Sequence, residues 1–134
     1  MRIITSDGNK YINIGSAEVW KSLCSTIFVL LDDEKDSIMK ARSFLENNKA
    51  EGVEGYEIAR QFNLIRDKLS RFAPEKVIFD INDMAFRATW YGKLSPVVTS
   101  CANLFITADG EDLLYEIVCI FCYAEIKRVS VLVE

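Results

Sequence analysis

The sequence contains 134 residues, of which 50% are hydrophobic, and its 20 acidic and 16 basic residues give a net charge of −4. This length and apolar fraction predict one domain over residues 1–134, and the acidic balance disfavours a nucleic-acid partner. The chain contains no histidine, which excludes Ser-His-Asp and Cys-His catalytic groups and histidine metal ligands.

The first residues predict a β-hairpin and then a helix. Two short apolar runs, residues 2–5 and 10–14, flank an Asp-Gly pair, which is a frequent hairpin turn. Ser16 stands where a helix N-cap is expected, and apolar residues follow at helical spacing. These residues are Trp20, Leu23, Cys24, Ile27, Phe28 and Leu31. The helix should end near residues 32–36, because acids oppose the dipole at a helix C-terminus.

Membrane insertion and export are not expected from the hydropathy of the chain. The N-terminal residues contain no apolar core of the kind found in secretion signals. No apolar run reaches the ~18–20 residues that span a bilayer. We therefore expect a cytoplasmic protein that has no membrane partner.

Two further helices are predicted over about residues 36–48 and 55–72, with a polar, glycine-containing loop between them. The later helix has the clearest pattern, with apolar residues at intervals of four and three. These residues are Ile58, Phe62, Ile65, Leu69 and Phe72. The stripe favours burial in the core, and a homodimer seam is the alternative, although two heptads are short for a coiled coil.

Three segments are predicted between the third and the last helix. The run "KVIFDIN" at residues 76–82 is almost continuously apolar and is typical of a strand covered on both faces. Residues 83–95 show no regular pattern, and a short helix is predicted over residues 97–106, after Pro96.

The C-terminal part predicts a helix over residues 110–127, with Asp109 as its N-cap, and a closing strand over residues 129–133. Together these elements predict an α+β domain, in which a small mixed sheet of about four short strands packs against four to five helices.

Asp80 and Asp83 are the first candidates for a reactive pair of carboxylates. In a continuous strand their spacing places them on opposite faces, so a shared metal ion would require the chain to turn after Asn82. The segment also lacks the glycine and the terminal glutamate of a calcium loop. We interpret both acids as the end of a strand, and a small metal-dependent carboxylate enzyme remains the alternative.

The cysteine pair Cys119 and Cys122 has the spacing of a redox or zinc motif. The second pair of a zinc ribbon is missing, and apolar neighbours raise the pKa of a thiol. We interpret both residues as reduced and packed in the core. The sequence therefore predicts no catalytic residue, no metal site and no cofactor.

Two features are typical of a surface that binds another protein. Trp90 and Tyr91 lie in the irregular segment, and these residue types dominate interface hot spots; the alternative is that Trp90 covers the edge of the core. The acids at residues 32–36 predict a negative patch that steers a cationic partner, or else a solvated helix end. The candidate partner-binding residues are Asp32, Asp33, Glu34, Asp36, Asp83, Trp90 and Tyr91.

Several segments, in this order, resemble the immunity protein 70 family. They are "YINIGS" at residues 11–16, "STI" at 25–27, "PEKVIFDIND" at 74–83, Trp90, Ser95-Pro96 and "TSCANLFITADGEDLL" at 99–114. The most specific piece is F-x-T-x-D-G-x-D-L. It consists of Phe105, Thr107, Asp109, Gly110, Asp112 and Leu113. Residues 32–60 show the weakest match.

The resemblance implies a bacterial cytosolic immunity protein without enzymatic activity. Such a protein binds and blocks the C-terminal domain of its cognate polymorphic or contact-dependent growth inhibition toxin. The shared motifs are expected to be structural, and residues 32–60, which match the family least, are a candidate for the toxin interface. Many such toxin domains are nucleases, which tend to be basic, so an acidic inhibitor would be attracted to one.

Overall fold

The N-terminal hairpin forms as predicted in the computed structural model, which describes all 134 residues. Its turn is closed by the carboxylate of Asp7, which accepts hydrogen bonds from the Thr5 hydroxyl at 2.6 Å and from the Asn9 amide at 3.1 Å. Gly8 follows in the left-handed region with φ 75°, a conformation that suits glycine.

Four strands and four α-helices make up the regular structure. The strands are β1 (Arg2–Thr5), β2 (Tyr11–Asn13), β3 (Lys49–Ala50) and β4 (Val131–Val133). The helices are α1 (Ala17–Leu30), α2 (Met39–Asn47), α3 (Gly55–Leu69) and α4 (Leu113–Lys127). Short 3-10 helices cover Asp32–Ile38, Gly52–Glu54 and Pro74–Lys76. None of the helices combines the length and apolarity needed to cross a membrane.

The sheet has the order β2-β1-β4-β3, and all three neighbouring pairs are antiparallel. The α+β class and the number of strands are confirmed, whereas the expectation of a mixed sheet is wrong. β4 runs opposite to both of its neighbours, with Val133 paired to Ile3 and Leu132 paired to Lys49, so no two adjacent strands are parallel.

The helices cover one face of the sheet and enclose an aromatic core. Phe44 of α2 contacts Trp20, Phe62 and Phe121, which come from the three other helices, with ring centroids 6.1, 6.3 and 4.9 Å away in edge-to-face geometry. Such pairs stabilise a core by more than their buried area. On the opposite face of the sheet, residues such as Tyr11 are exposed.

The apolar stripe of α3 lies inside this core. Ile58, Phe62, Ile65 and Leu69 are buried, and Phe72 is partly buried. The prediction of core packing is therefore confirmed, and the stripe is unavailable as a seam between two folded copies.

α3 and α4 approach each other closely where α3 begins. A Cβ atom on Gly55 would clash with the carbonyl oxygen of Phe121 and would lie 2.9 Å from Cβ of Glu125. Gly55 is therefore required by the contact between the two helices, and its φ of −57° would suit any residue.

Residues 76–82 do not form the predicted strand. Their backbone is held by side chains of α1: the Ser22 hydroxyl donates to the carbonyl of Ile78 at 2.9 Å. The Ile81 amide donates to the Ser25 hydroxyl at 3.0 Å. Hydroxyl groups of a helix thus satisfy the backbone groups that a neighbouring strand would otherwise pair.

Residues 97–106 form turns instead of the predicted helix. The Asn103 side-chain oxygen accepts hydrogen bonds from the amides of Thr99 and Ser100 at 3.0 and 3.1 Å, and its nitrogen donates to the Val97 carbonyl at 2.9 Å. Such local side-chain bonds compete with helix formation.

The other helix boundaries also differ from the prediction. α4 begins at Leu113, and its N-cap is Asp112, which accepts a hydrogen bond from the Tyr115 amide at 3.2 Å, so Asp109 is not the cap. The second helix is shorter than predicted, because residues 32–38 form a 3-10 helix before α2. Ser16 is the N-cap of α1, although its side chain makes no capping bond.

The positions of Cys119 and Cys122 on α4 differ from the expected packing of both residues in the core. Cys119 is exposed and Cys122 is partly buried. α4 turns Ile117, Ile120 and Phe121 to the core, so Cys119 lies on the solvent side of the same helix. Core packing is therefore wrong for Cys119.

Candidate protein-binding site

A groove lies between the beginning of α1 and the irregular segment that follows Phe79. We call it the aromatic groove and define it by Val19 and Lys21 of α1 and by Asp83, Phe86 and Trp90 of the segment. Its volume is about 200 Å³, which is below the ~300–1,000 Å³ of most small-molecule pockets. The groove has room for a side chain of a partner protein.

One buried ring organises the aromatic side chains of this region. Phe79 is buried, and its ring contacts Trp90, Tyr91 and Phe86 edge-to-face, with centroids 4.8, 5.9 and 6.2 Å away. Trp90 is nevertheless 39% exposed and Phe86 is 48% exposed. Trp90 therefore covers the edge of the core and also presents part of its ring to solvent.

Hydrogen bonds fix the segment despite its lack of regular structure. The Arg87 guanidinium donates to the carbonyls of Met84 and Phe86 at 2.8 and 2.9 Å, and it lies 5.4 Å from the centroid of the Tyr91 ring. The Tyr91 hydroxyl donates to the Glu75 carbonyl at 3.4 Å. These contacts fix the backbone at Met84 and Phe86 and the ring of Tyr91, which packs on Phe79 beside the groove.

Asp80 and Asp83 both line the groove, but only Asp80 has a cationic partner. Asp80 forms an ion pair with Lys21 at 3.4 Å and accepts a hydrogen bond from the Asn82 amide at 2.9 Å. Asp83 and Glu18 are exposed and form no ion pair. Because Lys21 is engaged with Asp80, the rim of the groove carries a surplus of negative charge.

The acidic segment, residues 32–36, forms a separate surface at the other end of α1. Asp32, Asp33 and Asp36 are exposed, whereas Glu34 is partly buried and forms an ion pair with Lys68 of α3 at 3.3 Å. With a helical rise of ~1.5 Å per residue, α1 separates the acidic segment from the groove by about 20 Å. Of the seven candidate residues, Asp83 and Trp90 line the groove and Tyr91 packs on Phe79 beside it. The four acids form the second surface.

Groups for metal or thiol chemistry are not assembled around these surfaces. No three thiol or carboxylate side chains lie close enough together to hold a metal ion. Burial raises the pKa of the Cys24 thiol to about 12. Burial and the nearby Glu75 carboxylate raise the pKa of Cys101 to about 11. Both thiols stay protonated at neutral pH and are poor nucleophiles. The exposed groups in the groove offer contacts for binding.

The contribution of α1 to the groove is not predicted from the sequence. Val19 and Lys21 lie about sixty positions before the segment they face, and residue type alone does not indicate such a contact. The sequence does contain a pattern that indicates this contact. Three hydroxyl residues lie beside the apolar face of α1: Ser22, Ser25 and Thr26. A buried hydroxyl row on an amphipathic helix indicates that polar backbone packs against it.

A comparison with protein families matches almost the whole chain to one family model. The model described as Immunity protein 70 matches residues 4–133, a range that includes the aromatic groove and the acidic segment. Neither the curated proteins nor the solved structures include a significant match.

Proposed function

The chain belongs to the immunity protein 70 family, and on that premise we propose that it binds and neutralises the C-terminal domain of one cognate toxin. The family match over residues 4–133 is the observation that carries the proposal. Inhibition would result from a stable complex, without turnover of a substrate and without a cofactor. The toxin would be the effector of a polymorphic or contact-dependent growth inhibition system.

We propose that the toxin domain is a basic nuclease and that the two proteins meet in the cytoplasm. The net charge of −4 and the isoelectric point near 5.0 support the first part, because a negative inhibitor attracts a positive, nucleic-acid-binding surface. The four free thiols fit a reducing compartment.

The proposed contact residues are those of the two surfaces. In the groove region they are Asp83, Trp90 and Tyr91, and in the acidic segment they are Asp32, Asp33, Glu34 and Asp36. Exposed Asp32, Asp33 and Asp36 supply most of the attraction, since the charge of Glu34 is shared with Lys68. A standard interface covers about 800 Å² on each partner, which is roughly 30 Å across, so the separation of about 20 Å along α1 lies within the span of one interface.

Coexpression tests this proposal. The toxin domain encoded beside this gene is expressed alone and together with the protein, and growth is measured. We expect growth to stop with the toxin alone, to recover with both proteins, and a one-to-one complex to elute in size-exclusion chromatography. A toxin from an unrelated gene pair is the control. The proposal would be contradicted if growth does not recover and no complex with the neighbouring toxin domain forms.

The nuclease part has its own test. The purified toxin domain is incubated with DNA and RNA, with and without the immunity protein. We expect cleavage that stops at one equivalent of inhibitor. A toxin that kills cells but leaves both nucleic acids intact would remove the nuclease assignment and would leave the immunity role standing.

A further inference from the structure

We propose that the aromatic groove is the receptor for a single arginine side chain of the toxin domain. The inference rests on the proposed function and adds to it the anchor point and the chemistry of the partner. Three properties of the groove lead to it: its size, its exposed rings and its unpaired carboxylates.

The size of the groove favours one side chain over a larger ligand. Its volume of about 200 Å³ is too small for most cofactors and substrates, and it opens directly to solvent between α1 and the segment. Well-packed pockets that receive one large side chain are typical of the hot spots that dominate protein interfaces.

The rings that line the groove suit a flat cation. Trp90 and Phe86 are both partly exposed, and Phe79 holds them from behind at 4.8 and 6.2 Å. A guanidinium that stacks on the face of a Trp or Phe ring is attracted by the negative charge of the π face. Because both rings already pack against Phe79, they lose less conformational entropy when the cation binds than free side chains would.

The carboxylates at the rim of the groove can accept hydrogen bonds from an arginine side chain. Asp83 and Glu18 line the groove and have no cationic partner within the chain. Glu18 lies in the first turn of α1, where it offsets the positive end of the helix dipole. A carboxylate that accepts two parallel hydrogen bonds from one guanidinium is the usual arrangement at such sites.

The nearby cations of the chain contact other groups, so Asp83 and Glu18 remain available to a cation from another molecule. Lys21 is paired with Asp80 at 3.4 Å. Arg87 donates to Met84 and Phe86 and lies over Tyr91. An arginine fits better than a lysine, since only the guanidinium is planar and can both stack on a ring and bind a carboxylate through two nitrogens.

Two variants test the groove in the complex with the toxin domain encoded beside this gene. Asp83→Asn removes the charge and keeps the shape, and we expect Kd to rise by about ten- to hundredfold. Trp90→Ala removes the ring, and we expect a rise of at least about thirtyfold. The matched controls are Asp109→Asn and Tyr11→Ala, which change an exposed acid and an exposed ring elsewhere.

A double-mutant cycle identifies the arginine. Each exposed arginine of the toxin domain is replaced by glutamine, and Kd is measured against the wild-type protein and against Asp83→Asn. We expect one arginine whose replacement costs much less when Asp83 is already neutral, because the two residues interact directly. Replacement of that arginine by lysine should recover only part of the affinity.

The outcomes separate this inference from the proposed function. If the wild-type protein binds the toxin domain and the groove variants bind as well as their controls, the groove is not the anchor, and the immunity role stands. If the groove variants lose affinity but no toxin arginine couples to Asp83, the arginine assignment is wrong. If the wild-type protein does not bind the toxin domain, the proposed function fails and this inference fails with it.

Discussion

The hydroxyl of Thr26 bonds both backbone groups of Ile78: it donates to the Ile78 carbonyl and accepts from the Ile78 amide, at 3.1 Å each. This one side chain joins the middle of α1 to the segment that carries Phe79. It therefore fixes the position of the Phe79 segment, and with it one wall of the aromatic groove, relative to α1.

Replacement of Thr26 by valine tests this connection. Valine keeps the shape and removes both hydrogen bonds, which leaves the Ile78 amide without a partner. We expect the free energy of unfolding to fall by about 1–3 kcal/mol, measured by urea denaturation. Thr89→Val is the control, because Thr89 is exposed and its hydroxyl makes no hydrogen bond within the chain; an equal loss in both variants would contradict the prediction.

Gly55→Ala should destabilise the fold. Alanine normally stabilises a helix relative to glycine by ~1 kcal/mol, but here its methyl group would clash with the Phe121 carbonyl of α4. We expect a net loss of about 1–3 kcal/mol from overpacking. Thermal and urea unfolding measure the change, and a stability equal to or above that of the wild type would show that α3 and α4 can separate at little cost.

Neutral variants of the acidic segment should slow association with the toxin domain. Asp32→Asn with Asp33→Asn removes two exposed charges and leaves the Glu34–Lys68 ion pair intact. We expect the association rate constant in stopped-flow experiments to fall several-fold at low salt, and the difference to shrink as salt screens the charges. Asp109→Asn with Glu111→Gln makes the same change in net charge elsewhere. Equal rates for the two double variants would argue against steering by the acidic segment.

The stability of the protein should fall in acid in a way that depends on Glu57. Hydrogen bonds from Arg60 and Gln61 lower the pKa of this carboxyl from 4.5 to about 2. A lowered pKa means that the folded state favours the carboxylate, so this stabilisation is complete above pH 4.5 and is lost as the pH falls towards about 2. We expect Glu57→Gln to flatten the stability curve over that range.

Arg60→Gln provides the second arm of that experiment. Without the guanidinium, which is the first cause of the shift, the pKa of Glu57 should rise, as measured by NMR titration of its carboxyl carbon. A wild type and a Glu57→Gln variant that lose stability in parallel between pH 4.5 and 2 would show that this carboxyl does not contribute.

The four thiols should react at very different rates. Cys119 is exposed, whereas the raised pKa values of Cys24 and Cys101 keep these thiols protonated. We expect a thiol-specific reagent to modify Cys119 first in the native protein and to reach Cys24 and Cys101 only after unfolding. Cys119→Ser should remove the fast phase, and a fast phase that persists would place the reactive thiol elsewhere.

The sequence predicted those parts of the fold that depend on local periodicity. The spacing from Ile58 to Leu69 defines α3 and its buried face, since a helix brings these residues to one side regardless of the rest of the chain. The hairpin turn is also formed mainly by local contacts, because the Asp7 carboxylate bonds Thr5 and Gly8 adopts the left-handed conformation. One distant residue adds to it, since the Tyr123 hydroxyl donates to Asp7 at 3.0 Å.

The errors occurred where a distant partner decides the local structure. Residues 76–82 are apolar enough for a strand, but the hydroxyls of Ser22 and Thr26 supply their hydrogen bonds, and no strand lies beside them. β3 was missed because its two residues pair with β4, more than eighty positions away. For the same reason Asp83 and Trp90 could be chosen by residue type, whereas their neighbours on α1 could not.

The position of β4 bears on how this protein is made in a cell. β4 joins β1 to β3, and it is formed by residues 131–133, after every other strand and helix. A nascent chain that has not yet released these residues from the ribosome has its N-terminal hairpin and β3 without their shared neighbour. Chains that end before β4 therefore leave the edges of β1 and β3 unpaired, and unpaired strand edges promote association with other chains. Translation through β4 is thus needed before the four-stranded sheet can form.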